Sequence, residues 1–451
     1  MKQPQNFTTG KIFPSLIRFA LPILGAMFLQ TMYGAVDMMV VGQFAESYDV
    51  SAVSTGSWLM SLVTSFISGI SMGTTVLIGR RIGEGKPEEA GKTIGVSIVL
   101  FAVMGIIVTG LMEIFAVPIA KIMQTPVEAF DATLDYVRIC AGGSVFIIAY
   151  NVLGSIFRGI GDSRMPLITV AIACVVNIVG DLVLVAGFGM ATAGAAIATV
   201  AAQAVSVLIS ILIIRKRALP FTFSVKDIRF DKKRIGSVFF LGLPIAFQDL
   251  LVSISFLAIN AIVNSLGVIP SAGVGVAEKL CGFIMLVPSA FGQSMSAFVA
   301  QNMGAQKPER ARKALLYGIS GSLAVGVVMA WLSFFHGDVM AGMFSADQQV
   351  ILAAADYLKS YAIDCLLVSV LFCMTGYFNG CEKTLFVMTQ GIIGAFLVRI
   401  PVSLFMSRRV PVSLFHVGLA TPSSTVVQIT FCICYYLLMR RKEKKARVQL
   451  S

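Results

Sequence analysis

The sequence has very little charge for its length. Of its 451 residues, 13% are Asp, Glu, Lys or Arg, whereas 57% belong to the hydrophobic set. Soluble domains carry about 25% charged residues, so this chain lacks the charge needed to cover two or three soluble domains. An ordinary soluble enzyme is therefore excluded. Apolar stretches of about 20 residues, the length that spans a bilayer, become the features to look for.

Metal-binding and redox residues are also scarce. The chain has two histidines and eight cysteines, and it contains no Cys-x-x-Cys pair. A zinc site or a disulfide framework is therefore not expected. Because no catalytic triad, metal cluster or nucleophile elbow is recognisable, we expect no enzymatic activity, no cofactor and an ion gradient as the energy source. We also expect the first apolar stretch to be retained, because no small-residue cleavage site follows it.

One glycine-rich loop has a superficial likeness to a phosphate-binding loop. A Walker A loop requires a glycine five residues before its Gly-Lys pair and Ser or Thr after it. Those positions are Arg80 and Pro87 here, so nucleotide binding is excluded. The loop is instead typical of a glycine turn that ends one helix, followed by a proline that starts the next.

Apolar stretches separated by polar breaks predict an all-α integral membrane protein with twelve transmembrane helices. They cover residues 16–42, 51–79, 93–117, 134–157, 165–187, 192–214, 237–266, 272–303, 314–336, 352–379, 384–406 and 414–439. Most of the 35 Lys and Arg residues lie at the two ends of the chain or in loops that follow even-numbered spans. Both termini are therefore predicted to be cytoplasmic, in a multi-pass plasma-membrane protein. The net charge of +12 then reports topology, and no nucleic-acid partner is expected.

The sequence contains an internal repeat. The loop GEGKPE, at Gly83–Glu88, recurs as GAQKPE at Gly304–Glu309, an offset of about 221 residues. Because each copy holds six spans, the copies should insert in the same orientation. They are predicted to form two six-helix lobes related by a pseudo-two-fold axis along the membrane normal. The alternative is that the repeat is an old gene duplication with no role in the mechanism.

The repeat also predicts the domain organisation. We expect an N-lobe over residues 1–214 and a C-lobe over 237–439, joined by a cytoplasmic linker over 215–236. Residues 440–451 are expected to form a basic cytoplasmic tail.

Two acids lie at matching depth in the first copy. Asp37 in the first span and Asp181 in the fifth are roughly 8–9 Å from the outer edge, at 1.5 Å per residue. A charge inside the hydrocarbon region costs several kcal/mol and is a functional candidate. Asn177 lies one helical turn before Asp181, and Tyr136 and Thr199 are at similar depth.

Two carboxylates in a low-dielectric pocket favour a shared proton, because burial and mutual repulsion both disfavour two negative charges. We therefore predict that Asp37 and Asp181 couple ions to transport, with Asn177, Tyr136 and Thr199 bonding the carboxylates. The alternative is that the acids only bond neighbouring helices and that the other three residues are packing residues.

The second copy has a different set of buried charges. It carries Glu278, Asp364 and Arg399 in its outer half and Asp249 near the start of the seventh span. We favour a structural ion pair between Arg399 and Glu278 or Asp364, and substrate or cation binding is the alternative. Asp249 is expected to face a central cleft from the cytoplasmic side, with no role assigned.

Prolines occur near the start of the first span in each copy. Pro22 and Pro244 remove backbone hydrogen bonds there. A bend at Pro22 that moves Asp37 would couple protonation to shape, and a plain start of the helix is the alternative.

In combination, these residues resemble the multidrug and toxic compound extrusion (MATE) transporters over residues of about 15–440. The likeness is carried by Leu21-Pro22, Asp37, the loop Arg158–Ser163, Asn177 with Asp181, and the two Gly-x-x-Lys-Pro-Glu loops. The paired aspartates are similar to those of the DinF-like branch. Two departures are Val252, where the NorM-like branch has a glutamate, and the second-copy loop Asn379–Thr384. The first argues against a sodium site in the second lobe.

The resemblance implies a V-shaped pair of lobes and Asp37, Tyr136, Asn177, Asp181 and Thr199 as the ion-coupling cluster. It implies export of cationic or lipophilic compounds in exchange for H⁺, with Na⁺ held at Asp37, Asn177 and Asp181 as the alternative. We predict a monomeric antiporter in the lipid bilayer that works by alternating access.

Two other functions are weighed against this one. A flippase for lipid-linked sugars has a related plan but should show more basic residues in the cleft. A membrane-embedded enzyme or receptor would leave the duplication unexplained.

Overall fold

The computed structural model describes residues 5–216 and 225–450, and these residues contain helices and no strand. The first copy of the repeat forms α1 (Ile12–Phe44), α2 (Ser47–Gly83), α3 (Pro87–Ile122), α4 (Val127–Gly142), α5 (Ser144–Ile160), α6 (Arg164–Asp181) and α7 (Ala191–Lys216). The second copy forms α8 (Lys232–Asn264), α9 (Val268–Ile284), α10 (Leu286–Gly304), α11 (Pro308–Phe335), α12 (Gly337–Gly342), α13 (Gln348–Gly380), α14 (Thr384–Ile392), α15 (Ile400–Ser407), α16 (Leu414–Gly418) and α17 (Ala420–Leu450).

The described residues contain 11 helices that are long and apolar enough to cross a membrane. The number is 12 if α4 and α5, which meet at a bend of 55°, form a single span. The break falls at Gly143, where the added bulk of a Cβ would overlap the Val200 side chain. The predicted all-α membrane architecture is therefore confirmed. The fourth predicted span, 134–157, is a bent pair of helices rather than one rod.

Two spans contain a widened π-helical segment. The first, Leu182–Gly187, directly follows α6, and the second, Ile393–Arg399, lies between α14 and α15. Such segments are rare and occur frequently at functional sites, because the extra residue redirects the side chains around it. A buried ionisable residue stands at one end of each: Asp181 directly precedes the first segment, and Arg399 is the last residue of the second.

The chain divides into two compact units. Unit 1 comprises Met1–Ala246 with Ala300–Pro308, and unit 2 comprises Phe247–Val299 with Glu309–Ser451. The lobe boundaries at 215–236 stay a prediction of the repeat, because unit 1 continues past them into α8.

The end of the linker packs firmly on α3. Gly95 has no Cβ, and one added there would overlap the Asp227 carbonyl. Arg234 forms an ion pair of 2.8 Å with Glu89. The described part of the linker is therefore bound to the first copy. The expected basic tail at residues 440–451 continues α17 as helix as far as Leu450.

Each unit has apolar cores of its own. In unit 1, one cluster joins α2, α3, α5 and the start of α8 and includes Ile78, Phe101 and Val238. A second surrounds Tyr136 on α4. In unit 2, α8, α9 and α13 pack together around Tyr357. Lipid tails are as apolar as these side chains, so close packing rather than exclusion of water stabilises such helix contacts.

The two copies of the glycine loop meet in unit 1. A Cβ on Gly83 at the end of α2 would overlap the Gln301 carbonyl oxygen. Reciprocally, a Cβ on Gly304 at the end of α10 would overlap the Arg80 carbonyl oxygen. The repeat relates Gly83 to Gly304 and Arg80 to Gln301, so the contact has local two-fold character. Glycine at both positions lets the two helix backbones touch.

The loop after α2 is stabilised by its own charges. Glu84 accepts hydrogen bonds from Arg80 at 3.2 Å and from Arg81 at 2.7 Å. Burial alone would raise the pKa of the Glu84 carboxyl, but hydrogen bonds and charge from Arg81 and Arg80 outweigh it. They leave that pKa below its ordinary value. Glu84 therefore stays charged and fixes both arginines beside the helix crossing.

We expect Gly83→Ala or Gly304→Ala to destabilise the protein by about 1–3 kcal/mol, because neither backbone can yield without separating the helices. The measurement is thermal unfolding of the purified protein in detergent. Gly110→Ala in α3 is the control, because a Cβ there meets nothing within 4 Å and alanine favours a helix by about 1 kcal/mol. Equal stability of Gly83→Ala and Gly110→Ala would contradict the close crossing.

Candidate functional site

Asp37 and Asp181 lie side by side in unit 1. Asp37 on α1 is 5% exposed and Asp181, the last residue of α6, is fully buried. Their carboxyls lie within hydrogen-bonding reach of each other. Apart from that mutual contact, Asp37 Oδ1 and both carboxylate oxygens of Asp181 have no hydrogen-bond partner among the described residues. The pair therefore has unused acceptor capacity that a proton or a small cation would satisfy.

Asn177 extends this group of acceptors along α6. It is fully buried one turn before Asp181, so the two side chains lie on the same face of the helix. Its Nδ2 donates to Thr199 Oγ1 on α7 at 3.5 Å, a long hydrogen bond. Its Oδ1 has no partner in the described chain, so the amide adds an oxygen ligand to the site.

Small residues bring α6 and α7 close enough for that contact. Gly180 packs against Ala198, whose Cβ would lie 2.9 Å from a Cβ added to the glycine. Gly194 approaches the backbone of Leu184 in the π-helical segment in the same way. Glycine and alanine at helix contacts allow backbones to approach closely in membrane proteins. This packing places the Asp181 and Thr199 faces against each other.

Tyr136 is buried on α4, near enough to Asp37 for an electrostatic interaction. Its hydroxyl accepts a hydrogen bond from Ser57 Oγ on α2 at 2.9 Å. Its ring packs on Gly56, where a Cβ would overlap the ring. The structure thus brings the five residues of the expected cluster into one region of unit 1. The Tyr136 hydroxyl is bonded to Ser57, and among the described residues it makes no hydrogen bond to a carboxylate.

Further polar residues join this cluster that the sequence analysis missed. Tyr33, one turn before Asp37 on α1, lies near Gln30 and near Gln203 on α7. Tyr150 on α5 interacts with both Tyr33 and Arg158. The spacing of Tyr33 from Asp37 was a usable signal, because residues four apart share a helix face. Nothing in the sequence pairs α1 with Tyr150.

In unit 2, Glu278 has a neutral partner. Asn260 Nδ2 on α8 donates to Glu278 Oε2 on α9 at 3.0 Å. Glu278 Oε1 is buried without a hydrogen-bond partner in the part of the chain that the structure describes. The glutamate is therefore bound to an amide and has one oxygen to spare.

The expected ion pair of Arg399 is wrong. Within residues 5–216 and 225–450 no ion pair joins Arg399 to Glu278 or Asp364. Its Nη1 donates to Ser255 Oγ at 3.0 Å, and its guanidinium lies over the Phe256 ring at 4.4 Å. The planar guanidinium stacks on an aromatic face, an option that helix spacing does not reveal. Spacing also does not reveal Ser255 as the acceptor.

Asp364 on α13 is 1% exposed and lies near Arg399 and Thr425. Neither of its carboxylate oxygens has a hydrogen-bond partner in the described ranges. Asp249 on α8, by contrast, has an exposed side chain. The two acids therefore occupy different environments, and the expectation that Asp249 faces a cleft stays a prediction.

Pro22 lies inside α1, and Pro244 lies inside α8. Both helices continue as α-helix through the proline, from Ile12 to Phe44 and from Lys232 to Asn264. Coupling between a bend at Pro22 and Asp37 therefore stays a prediction.

The described residues contain no group of three or more His, Cys, Asp or Glu side chains placed to hold a metal ion. The free oxygens of Asp37, Asn177 and Asp181 are hard ligands of the kind that alkali and alkaline-earth cations prefer. Their arrangement is compatible with a proton or with Na⁺.

A family model described as MatE matches residues 22–183 and 244–405. The chain belongs to the MatE family. The two matched segments begin at Pro22 and Pro244, so they follow the repeat seen in the sequence. Family membership is thereby confirmed, and assignment to the DinF-like branch stays a prediction.

Relatives align with this MatE family protein over most of their length. The probable multidrug resistance protein YoeA of Bacillus subtilis (strain 168) is 26% identical, over 98% of this chain and 97% of the relative. The multidrug export protein MepA of Staphylococcus haemolyticus (strain JCSC1435) is 24% identical, over 86% of each chain.

Solved structures show the same fold. A crystal structure of a MATE in complex with MaL6 superposes with a TM-score of 0.91 at 18% identity, covering 98% of this chain and 100% of the other. A MOP superfamily transporter from Pyrococcus furiosus Vc1 (DSM3638) gives a TM-score of 0.89 at 19% identity, over 98% of each chain. At these identities the likeness establishes the fold.

We expect Arg399→Lys to cost about 1–3 kcal/mol of stability, because lysine retains the charge but cannot stack as a plane on Phe256. Thermal unfolding in detergent measures the loss. Arg408→Lys is the matched control, because Arg408 is exposed. If the two variants unfold at the same temperature, the buried contacts of Arg399 carry no stability.

Proposed function

We propose that this MatE family protein is a secondary antiporter that exports cationic or lipophilic compounds from the cell in exchange for H⁺. The observation that carries the proposal is the buried pair of Asp37 and Asp181. Apart from their mutual contact, Asp37 Oδ1 and both oxygens of Asp181 have no hydrogen-bond partner in the described chain. Buried charges without partners are costly, and such a cost is expected where an ion has to bind. The names of the relatives, which refer to multidrug resistance and export, support the class of substrate.

The pair of Asp37 and Asp181 can couple proton binding to a change of conformation. An ion can drive a conformational equilibrium only by the difference in its affinity for the two states. When α1 and α6 hold the carboxyls together, one proton between them removes their repulsion. When the helices separate, that advantage is lost and the proton is released. A drug that prefers the deprotonated state would then be exchanged for the proton.

The other residues of the cluster hold the two carboxyls of Asp37 and Asp181 in position. Asn177 lies one turn before Asp181 and has a free amide oxygen, while Thr199 orients the Asn177 amide from α7. Tyr33, which lies near Gln203, places the preceding turn of α1 beside α7. These contacts favour one geometry for the two carboxyls. Alternating access with both termini in the cytoplasm completes the proposal.

We expect Asp37→Asn and Asp181→Asn each to reduce efflux to the level of cells without the protein, because an amide cannot share or release the coupling proton. Ethidium efflux from drug-sensitive cells, at equal amounts of protein in the membrane, measures this. Asp131→Asn is the matched control, because Asp131 on α4 is exposed. Normal efflux by both buried variants would contradict the proposed role of the pair.

The driving ion is separable by experiment. We expect a protonophore to stop ethidium efflux and replacement of external sodium to leave it unchanged, because the proposal assigns the site to a proton. The reverse pattern would assign the same oxygens to Na⁺. Efflux that resists both treatments would rule out coupling to either ion.

A further inference from the structure

The segment before α1 is built into the interior of unit 1. Phe7 is fully buried, and its ring packs edge-on against Phe19 of α1 with centroids 4.8 Å apart. A segment that only preceded a transmembrane helix would need no buried aromatic anchor. The segment Gln5–Thr8 is therefore part of the packed structure.

Gln301 joins this segment to two other elements. Its side chain is 1% exposed, its Oε1 accepts a hydrogen bond from Phe7 N at 3.4 Å, and its Nε2 donates to the Gly159 carbonyl at 3.2 Å. Its own carbonyl lies against Gly83 at the crossing of α10 with α2. One residue thus ties together the chain before α1, the end of α5 and the end of α2.

Neighbouring contacts bind the segment from two sides. From α10 and the loop after it, Asn302 Nδ2 donates to the Phe7 carbonyl at 3.2 Å and Lys307 Nζ to the Thr8 carbonyl at 2.9 Å. From the turn after α5, the Gly161 carbonyl accepts from Gln5 N at 3.1 Å. Gly161 has φ +90, and a Cβ there would lie 2.6 Å from the Gln5 carbonyl. This turn therefore requires glycine.

The end of α10 differs from the rest of its helix. Residues Ala300–Pro308 group with unit 1, whereas the preceding part of the same helix, up to Val299, groups with unit 2. The contacts that hold Ala300–Pro308 to unit 1 include the glycine crossing and the bonds of Gln301, Asn302 and Lys307. Any motion that draws α10 away from α2 has to break them.

We propose that Gln5–Thr8 and Gln301 form a clasp, which holds the end of α10 against the end of α2 and is released each time this end of the protein opens. The proposal rests on the alternating access of the proposed function. It makes Gln301 a positioning residue for transport that lies well along the chain from the acids. It also gives the segment before the first span a mechanical role.

The test measures the distance across the crossing in the full-length protein in lipid nanodiscs. Nitroxide labels are attached after Lys86→Cys and Gln306→Cys, both exposed positions on the two glycine loops. Cys434→Ser removes the one exposed native cysteine among the eight, the other seven being buried. Pulsed electron paramagnetic resonance then reports the populations of close and separated loops.

Gln301→Met keeps the length of the side chain and removes both of its hydrogen bonds. We expect it to raise the ratio of separated to close loops about tenfold, which corresponds to about 1.4 kcal/mol. A change of this size is expected when two hydrogen bonds of ordinary strength are lost. Phe7→Ala, which removes the aromatic anchor, is expected to shift the ratio in the same direction.

Gln43→Met is the matched control, because Gln43 is exposed near the end of α1 and lies outside the clasp. It should leave the ratio unchanged. A distance distribution identical to that of the parent in both Gln301→Met and Phe7→Ala overturns the clasp. Because the distances are measured without any transport, they judge the clasp even if ethidium efflux fails and the proposed function falls.

Discussion

Hydrocarbon offers no hydrogen bonds, and the structure of this protein follows from that constraint. Each backbone group must be satisfied within its own helix, so the described chain is helical, and its bends and π-helical segments fall at few places. A charged side chain carries the same penalty. Asp37 and Asp181 are accordingly enclosed among α1, α6 and α7, where each is the other's neighbour and Asn177 lies one turn away on α6.

The bilayer also decides how the helices associate, because lipid tails are as apolar as the helix surfaces. Close approach of backbones replaces the hydrophobic driving force, and glycines permit it where the contacts are tightest. Gly180 brings α6 onto α7 beneath the acid pair, while Gly83 and Gly304 bring α2 onto α10 at the repeated loops. The same type of residue thus positions the candidate ion site and forms the crossing beside the N-terminal segment.

Much of the candidate site could be predicted from the sequence, because its carboxylates lie deep within apolar, membrane-spanning stretches. A carboxylate inside an apolar stretch has few explanations, so Asp37 and Asp181 stand out, and helical spacing adds Asn177. The expected ion pair of Arg399 was wrong because opposite charge is only one way to stabilise a buried guanidinium. Ser255 and Phe256 provide a hydrogen bond and an aromatic face instead. Tyr150 was missed because its relation to Tyr33 depends on how α5 packs, which spacing along one helix does not contain.

By itself the sequence determined the all-helical membrane class, the duplication and the family, because hydrophobic length, repeated loops and local motifs are properties of neighbouring residues. It also singled out Asp37, Asp181 and Asp364, which are buried, because each lies inside an apolar stretch; Asp249, which also lies inside a span, is exposed. Only the tertiary structure decided which side chains meet. Phe7 contacts Gln301, which lies 294 residues away along the chain, and Gly83 contacts the backbone of the same residue in α10. Contacts between residues so far apart depend on the packing of several helices at once, and no local pattern encodes them.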